Sequence, residues 1–171
     1  MKFRDLRADE IDVRIGTVGD GYVTLLLYKD ARTDMDILDS TLGVENWQRK
    51  HYELKGNIYC SVGIRINNEW VWKDDCGTES FTEKEKGESS DSFKRACVNI
   101  GIGRELYTSP NIYIKCETTT DKKGKLVPVI KDFKVEKIRI ENKIITGLSI
   151  MGYDKADKQW KRLFVYDKNN G

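Results

Sequence analysis

The chain has 171 residues, 39% apolar and 34% charged, a balance that suits one soluble globular domain with an adequate core. No apolar run approaches the ~20 residues of a membrane helix. Met1-Lys2-Phe3-Arg4-Asp5-Leu6-Arg7 lacks the apolar stretch of a signal peptide, so no membrane role and a cytoplasmic location are expected.

Net charge is only +2, but its distribution is uneven. Residues 1–90 hold 13 Lys/Arg against 18 Asp/Glu, and residues 91–171 hold 17 against 10, which suggests a basic face. Cys60, Cys76, Cys97 and Cys116 are widely spaced and His51 is the single histidine. A zinc site has little to build on, and reduced cysteines acting as small apolar residues are expected. No metal or cofactor is expected.

In chain order, Gly16-Thr17-Val18-Gly19-Asp20-Gly21 lacks the lysine of a phosphate-binding loop and reads as a flexible connector. Tyr22 to Tyr28 is an apolar run that reads as a strand. Asp30 to Leu42 places Met35, Leu38 and Leu42 at helical spacing, with Gly43 as the stop.

The clearest β signal comes next. Trp47 to Leu54 is extended, and Lys55-Gly56-Asn57 supplies a turn. Ile58, Cys60, Val62, Ile64 and Ile66 then alternate with Tyr59, Ser61, Gly63 and Arg65. A period of two puts the first set in the core and the second on the other face. Asn67-Asn68 suits a two-residue hairpin loop, and Trp70 and Trp72 share a face of the return strand.

The polar stretch from Glu79 to Ser90 reads as either a mobile loop or the first turns of the next helix, with Gly87 favouring a break; Ser89 to Asp91 offer that helix a cap. Phe93, Ala96, Ile100, Gly103 and Tyr107 form its apolar stripe. After Pro110, strands are expected at Ile112–Cys116, Val135–Glu141, Ile144–Met151 and Gln159–Tyr166. The fold class is thus α+β: an antiparallel β-meander (β-β-β-α core) flanked by helices, with C-terminal β-hairpins.

Lys94 and Arg95 sit side by side on the helix, away from its stripe, where neighbouring cations suit successive phosphates. Asp91, Lys94-Arg95-Ala96, Gly101 and Tyr107, with Asp75-Cys76-Gly77 upstream, resemble the signature of the Rad52 family of single-strand annealing proteins, including phage-encoded members. Arg32, Gly43 and Trp47 follow the family's order of an Arg opening a helix, a closing Gly and a Trp. Val44 and Val98 depart from the pattern, standing where the family often has an aromatic and a further Arg.

The resemblance covers residues 14–110, so a single domain over 1–171 would comprise an annealing core at 14–110 and a β extension at 111–171. It implies a DNA-binding role for Arg32, Lys86, Lys94 and Arg95, with Arg104 replacing the missing second charge. It further implies a non-enzymatic, ATP-independent protein that binds and anneals single-stranded DNA in recombination and repair. A ring-shaped homo-oligomer, a phage or prophage origin, and host or phage recombination and replication proteins as partners belong to the same expectation.

Two rival readings stand beside it. Asp74 and Asp75 at a strand end, with Asp132-x-Lys134 later, imitate the acidic set of a Mg²⁺-dependent nuclease. A single-strand binder that does not anneal is the other. His51 has no nucleophilic partner nearby in sequence, and a structural role is expected for it.

Overall fold

The computed structural model of the chain describes residues 2–78 and 84–170, without the side chains of residues 84–86 and 170. In chain order the elements are β1 (Asp12–Gly19), β2 (Tyr22–Tyr28), α1 (Ala31–Leu42), β3 (Trp47–Leu54), β4 (Asn57–Ile66), β5 (Glu69–Cys76) and α2 (Lys84–Ile100). They continue with β6 (Ile112–Lys115), β7 (Thr118–Thr120), β8 (Leu126–Pro128), β9 (Phe133–Glu141), β10 (Ile144–Asp154) and β11 (Gln159–Asp167). The α+β class holds: the sheets are antiparallel, a β-β-β-α run is present, and the C-terminal strands form hairpins.

Contacts divide the chain into two compact units, one of Met1–Arg4 with Asp30–Arg104 and one of Asp5–Lys29 with Glu105–Gly171. In the first, β3, β4 and β5 pair in sequence without a bulge. Lys55-Gly56 and Asn67-Asn68 link them, all four with positive φ, the geometry of tight hairpin loops that match strand twist.

Strand alternation then sets the two faces. Cys60, Val62 and Ile64 are buried on the face toward α2, whose Phe93, Ala96 and Cys97 are fully buried. Burial of a side chain such as Phe93 is worth about 1.5–3 kcal/mol. Arg49 lays its guanidinium 4.6 Å from the centre of the Phe93 ring, and Trp47 stacks on that ring at 6.1 Å.

Helix α1 starts on Asp30, whose carboxylate accepts from the Arg32 N–H at 2.7 Å. It stops at Gly43, at φ 84°. Its buried positions are Asp34, Ile37 and Leu38, while Met35 and Leu42 are half-buried. The buried stripe therefore centres on the Ile37-Leu38 pair rather than on the Met35/Leu38/Leu42 row.

In α2 the stripe of Phe93 and Ala96 is as expected, but the helix ends at Ile100 and Tyr107 is exposed on a 3₁₀ turn over Arg104–Thr108. From Lys84 on, the polar stretch supplies the first turns of this helix rather than a loop, while its 79–83 part lies outside the described residues. The helix runs through Gly87, and Ser89 to Asp91 lie inside it.

The second unit is a six-stranded sheet ordered β11-β10-β9-β1-β2-β6. The Gly16–Gly21 segment is no connector: Gly16 and Gly19 lie in β1 and Asp20-Gly21 forms the turn to β2. The physical reason is lateral room. A Cβ on Gly19 would fall 2.0 Å from the Tyr22 ring, and one on Gly16 would press against Leu26, so the glycines let partner-strand side chains lie across β1. The pairing register shifts between Ile15 and Val18. Strand β10 supplies much of this unit's core, with Ile145, Leu148 and Ile150 buried.

Candidate nucleic-acid interface

The close fit between α2 and the exit of β5 depends on Gly77. Its N–H donates to the Ile58 carbonyl at 2.9 Å, and a Cβ there would fall 2.2 Å from the Glu88 carbonyl oxygen. Glycine is required here by the close approach of two backbones. Buried Glu88 accepts from the Ile58 N–H at 2.7 Å. One turn on, Asp91 accepts from the Thr78 N–H and hydroxyl at 3.0 and 2.9 Å. These tertiary bonds outweigh the cost of about 1 kcal/mol for a glycine inside the helix, which explains why α2 continues through Gly87.

Lys94 and Arg95 follow directly, 100° apart around the helix axis. Both are half-buried rather than fully outward. Arg95 leans toward β5, its Nε 3.3 Å from Asp75 Oδ1. Asn99, one turn on, donates to Asp75 Oδ2 at 3.2 Å and to the Asp74 carbonyl at 2.9 Å.

Arg104 is exposed, but its guanidinium donates to the carbonyls of Val98 and Asn99 at 2.8 and 2.9 Å. It thereby satisfies two carbonyls at the end of α2. Arg32 stands on the first turn of α1, its side chain 84% exposed and 3.8 Å from the Asp30 carboxylate. Lys86 lies on the α2 backbone, with its side chain outside the described residues. All five basic positions belong to the first unit. Within it, Arg95 shares the Asp75 carboxylate with the Asn99 side chain and Arg104 donates to the Asn99 carbonyl, while Arg32 sits on the neighbouring helix.

The acidic pair does not form a common cradle. Asp75 lies toward α2, whereas Asp74 is on the opposite face, where it accepts from the Tyr52 hydroxyl at 2.8 Å and the Ser61 hydroxyl at 2.6 Å. Adjacent strand residues point to opposite sides, so these two carboxylates cannot close on one ion together. The hydrogen bond to Asp74 raises the Tyr52 phenol above its ordinary range. Among the described residues, no group of three or more His, Cys, Asp or Glu side chains is placed to hold a metal ion.

His51 Nε2 lies 3.1 Å from the Ser89 carbonyl and ties β3 to α2. The four cysteines are free thiols, and burial pushes Cys60 up to about 11.

The face of the sheet turned away from α2 carries aromatic rings to which the sequence reading gave no role. Tyr52 stacks on its cross-strand partner Tyr59, ring centres 5.5 Å apart. Trp70 and Trp72 lie 6.0 Å apart. Lys50 holds its ammonium 4.9 Å from the centre of the Trp72 ring. The signal was legible in the period-two alternation from Ile58 to Ile66 together with Trp70-x-Trp72. Comparison with family models and with curated proteins returned no match for this chain.

Proposed function

We propose that the chain binds single-stranded DNA and anneals complementary strands without ATP. It would act as a homo-oligomeric ring in recombination and repair, encoded by a phage or prophage. The observation that carries the reading is the Lys94–Arg95 pair on a helix locked against an antiparallel β-β-β sheet, at the position the Rad52 resemblance assigns to backbone binding. Arg32 on the neighbouring helix adds a solvent-facing cation in the same unit.

The mechanism is electrostatic and geometric. Phosphate contacts hold a strand without reading its sequence, which annealing of arbitrary complements requires. Arg95 enters binding from a preset position, because Asp75 and Asn99 hold its end of the helix to β5. A phosphate then competes with the Asp75 carboxylate for the guanidinium.

Annealing and nuclease assays on one preparation, with Mg²⁺ and with EDTA, test the proposal. Annealing that persists in EDTA with no shortening of the strand is expected. Mg²⁺-dependent cleavage that disappears in Asp75→Asn would replace this reading with the nuclease.

A further inference from the structure

The sheet face opposite α2 combines features that the Lys94–Arg95 helix does not use. Cross-strand pairing sets Arg65 beside Trp70, Gly63 beside Trp72, and Tyr59 beside Tyr52, with Lys50 between the two aromatic pairs. Trp70 and Tyr52 are 39% and 40% exposed. We propose that this face is a base-stacking platform for single-stranded DNA, a second binding surface distinct from Lys94 and Arg95.

Three observations select the occupant. The first is ring orientation. A Cβ on Gly63 would meet three atoms of the Trp72 indole at 2.8, 2.8 and 2.9 Å, so the ring lies flat along the sheet over the space the glycine leaves. A ring in that attitude turns its other π-face away from the sheet, where the Lys50 ammonium, 4.9 Å from the ring centre, is the group a stacking base would displace toward its own phosphate.

The second is spacing. Trp72 and Trp70, paired with Gly63 and Arg65, lie four and six strand residues from the Tyr52–Tyr59 row, about 13 and 20 Å at ~3.3 Å per residue. An extended strand therefore meets two aromatic stations in succession, the arrangement by which sheet-based single-strand binders hold splayed bases.

The third is charge. Lys50 and Arg65 are exposed and make no ion pair among the described residues. The carboxylate on this face, Asp74, is engaged by the Tyr52 and Ser61 hydroxyls. Arg65 also lines a polar cleft of about 330 Å³ with Asn46, Asn67 and Asn68, room for a sugar-phosphate unit beside the stacked bases. Interfaces between protein copies are depleted of lysine at their centre, whereas Lys50 occupies the middle of this face. A polyanion with flat rings complements it better than a second copy does.

The choice of occupant rests on the single-strand reading above; the surface itself does not. The test uses the full chain with a fluorescent oligothymidylate and an abasic deoxyribose-phosphate oligomer of equal length. Saturation with oligothymidylate should quench tryptophan emission, and the wild-type chain should bind the abasic oligomer more weakly. Trp70→Ala with Trp72→Ala should weaken oligothymidylate binding roughly ten- to a hundredfold and leave abasic binding unchanged. Trp72→Phe, which keeps a flat ring, should retain most of the affinity. Lys94→Ala with Arg95→Ala should weaken both oligomers alike.

Equal affinity of the wild-type chain for both oligomers, absence of quenching at saturation, or an unchanged oligothymidylate affinity in the folded Trp variant would overturn the platform alone. A fall in the variant's mass by light scattering with DNA affinity intact would overturn it in favour of a second copy on this face. Failure of the wild-type chain to bind either oligomer would overturn both the platform and the proposed function.

Discussion

Arg95 is held by Asp75: its guanidinium Nε lies 3.3 Å from Oδ1 of an aspartate at the end of the neighbouring strand. Asn99 donates to the other oxygen of that carboxylate at 3.2 Å. Arg95 thus has a resident acidic partner, which a phosphate would have to displace in the proposed single-strand complex.

Asp75→Asn should raise single-strand affinity by about 1.4- to fivefold at low salt, because a partly exposed pair of this kind is worth about 0.2–1 kcal/mol. Fluorescence anisotropy measures it. A folded variant with weaker binding would mean that the carboxylate aims the guanidinium rather than competing for it.

Replacing Lys94 and Arg95 together by Ala should weaken single-strand binding strongly. Each lost phosphate contact should flatten the log–log salt dependence by about 0.7. Circular dichroism should stay native, since the buried anchors of α2 are Phe93, Ala96 and Cys97. Unchanged affinity and slope would assign the pair to an ordinary solvated surface.

Gly77→Ala should destabilise the first unit by at least the roughly 1–3 kcal/mol of overpacking. Its new Cβ would strike the Glu88 backbone at 2.2 Å, which no rotamer change can relieve. Gly124→Ala, at an open position with nothing within 4 Å of a new Cβ but a φ of 77°, should cost only the strain of that conformation. Urea midpoints of the two variants compare these costs directly, and equal midpoints would count against the close-approach account of Gly77.

Acid should act on the second unit through Glu136. Hydrogen bonds from Arg162 and then Ser149 hold its carboxyl down to about 2, against an ordinary 4.5. A carboxyl depressed in the folded state contributes stability above its unfolded value, and that contribution disappears as pH falls through the folded one. The melting temperature of Glu136→Gln should therefore lie below wild type at neutral pH, with the gap closing between about pH 5 and pH 2. A constant gap across that range would contradict the assignment.

The chain should assemble. A unit this small offers few cations to a long strand, whereas repeated copies make a binding path continuous and add weak contacts together. Multi-angle light scattering should return a multiple of the 19.8 kDa chain mass, and a monomer both with and without single-stranded DNA would defeat the ring.

Much of the first unit was legible in the residues because its signals are local. Alternation from Ile58 to Ile66 assigns both faces of β4, and Gly56, Asn67 and Asn68 tolerate the positive φ that the two hairpin loops require. Asp30 and Gly43 bracket α1 for the same kind of reason. These features depend on backbone geometry within a few residues, so the sequence alone determines them.

Tertiary structure decided the rest, because distant groups compete with local preference. Gly16 to Gly21 reads as a connector until Tyr22 and Leu26 lie across it in a sheet. Gly87 reads as a helix break until Glu88 and Asp91 bind the segment beside β5. Arg95 reads as a free cation until Asp75 arrives from 20 residues away.

Charge shows the effect most plainly. The two sequence halves carry −5 and +7, but the first spatial unit holds 13 Lys/Arg against 14 Asp/Glu and the second 17 against 14, or −1 and +3. The fold takes Asp5–Lys29 out of the acidic half and Asp91–Arg104 out of the basic one. Electrostatics follows distance in space, so chain order alone overstated the contrast between the two ends of this protein.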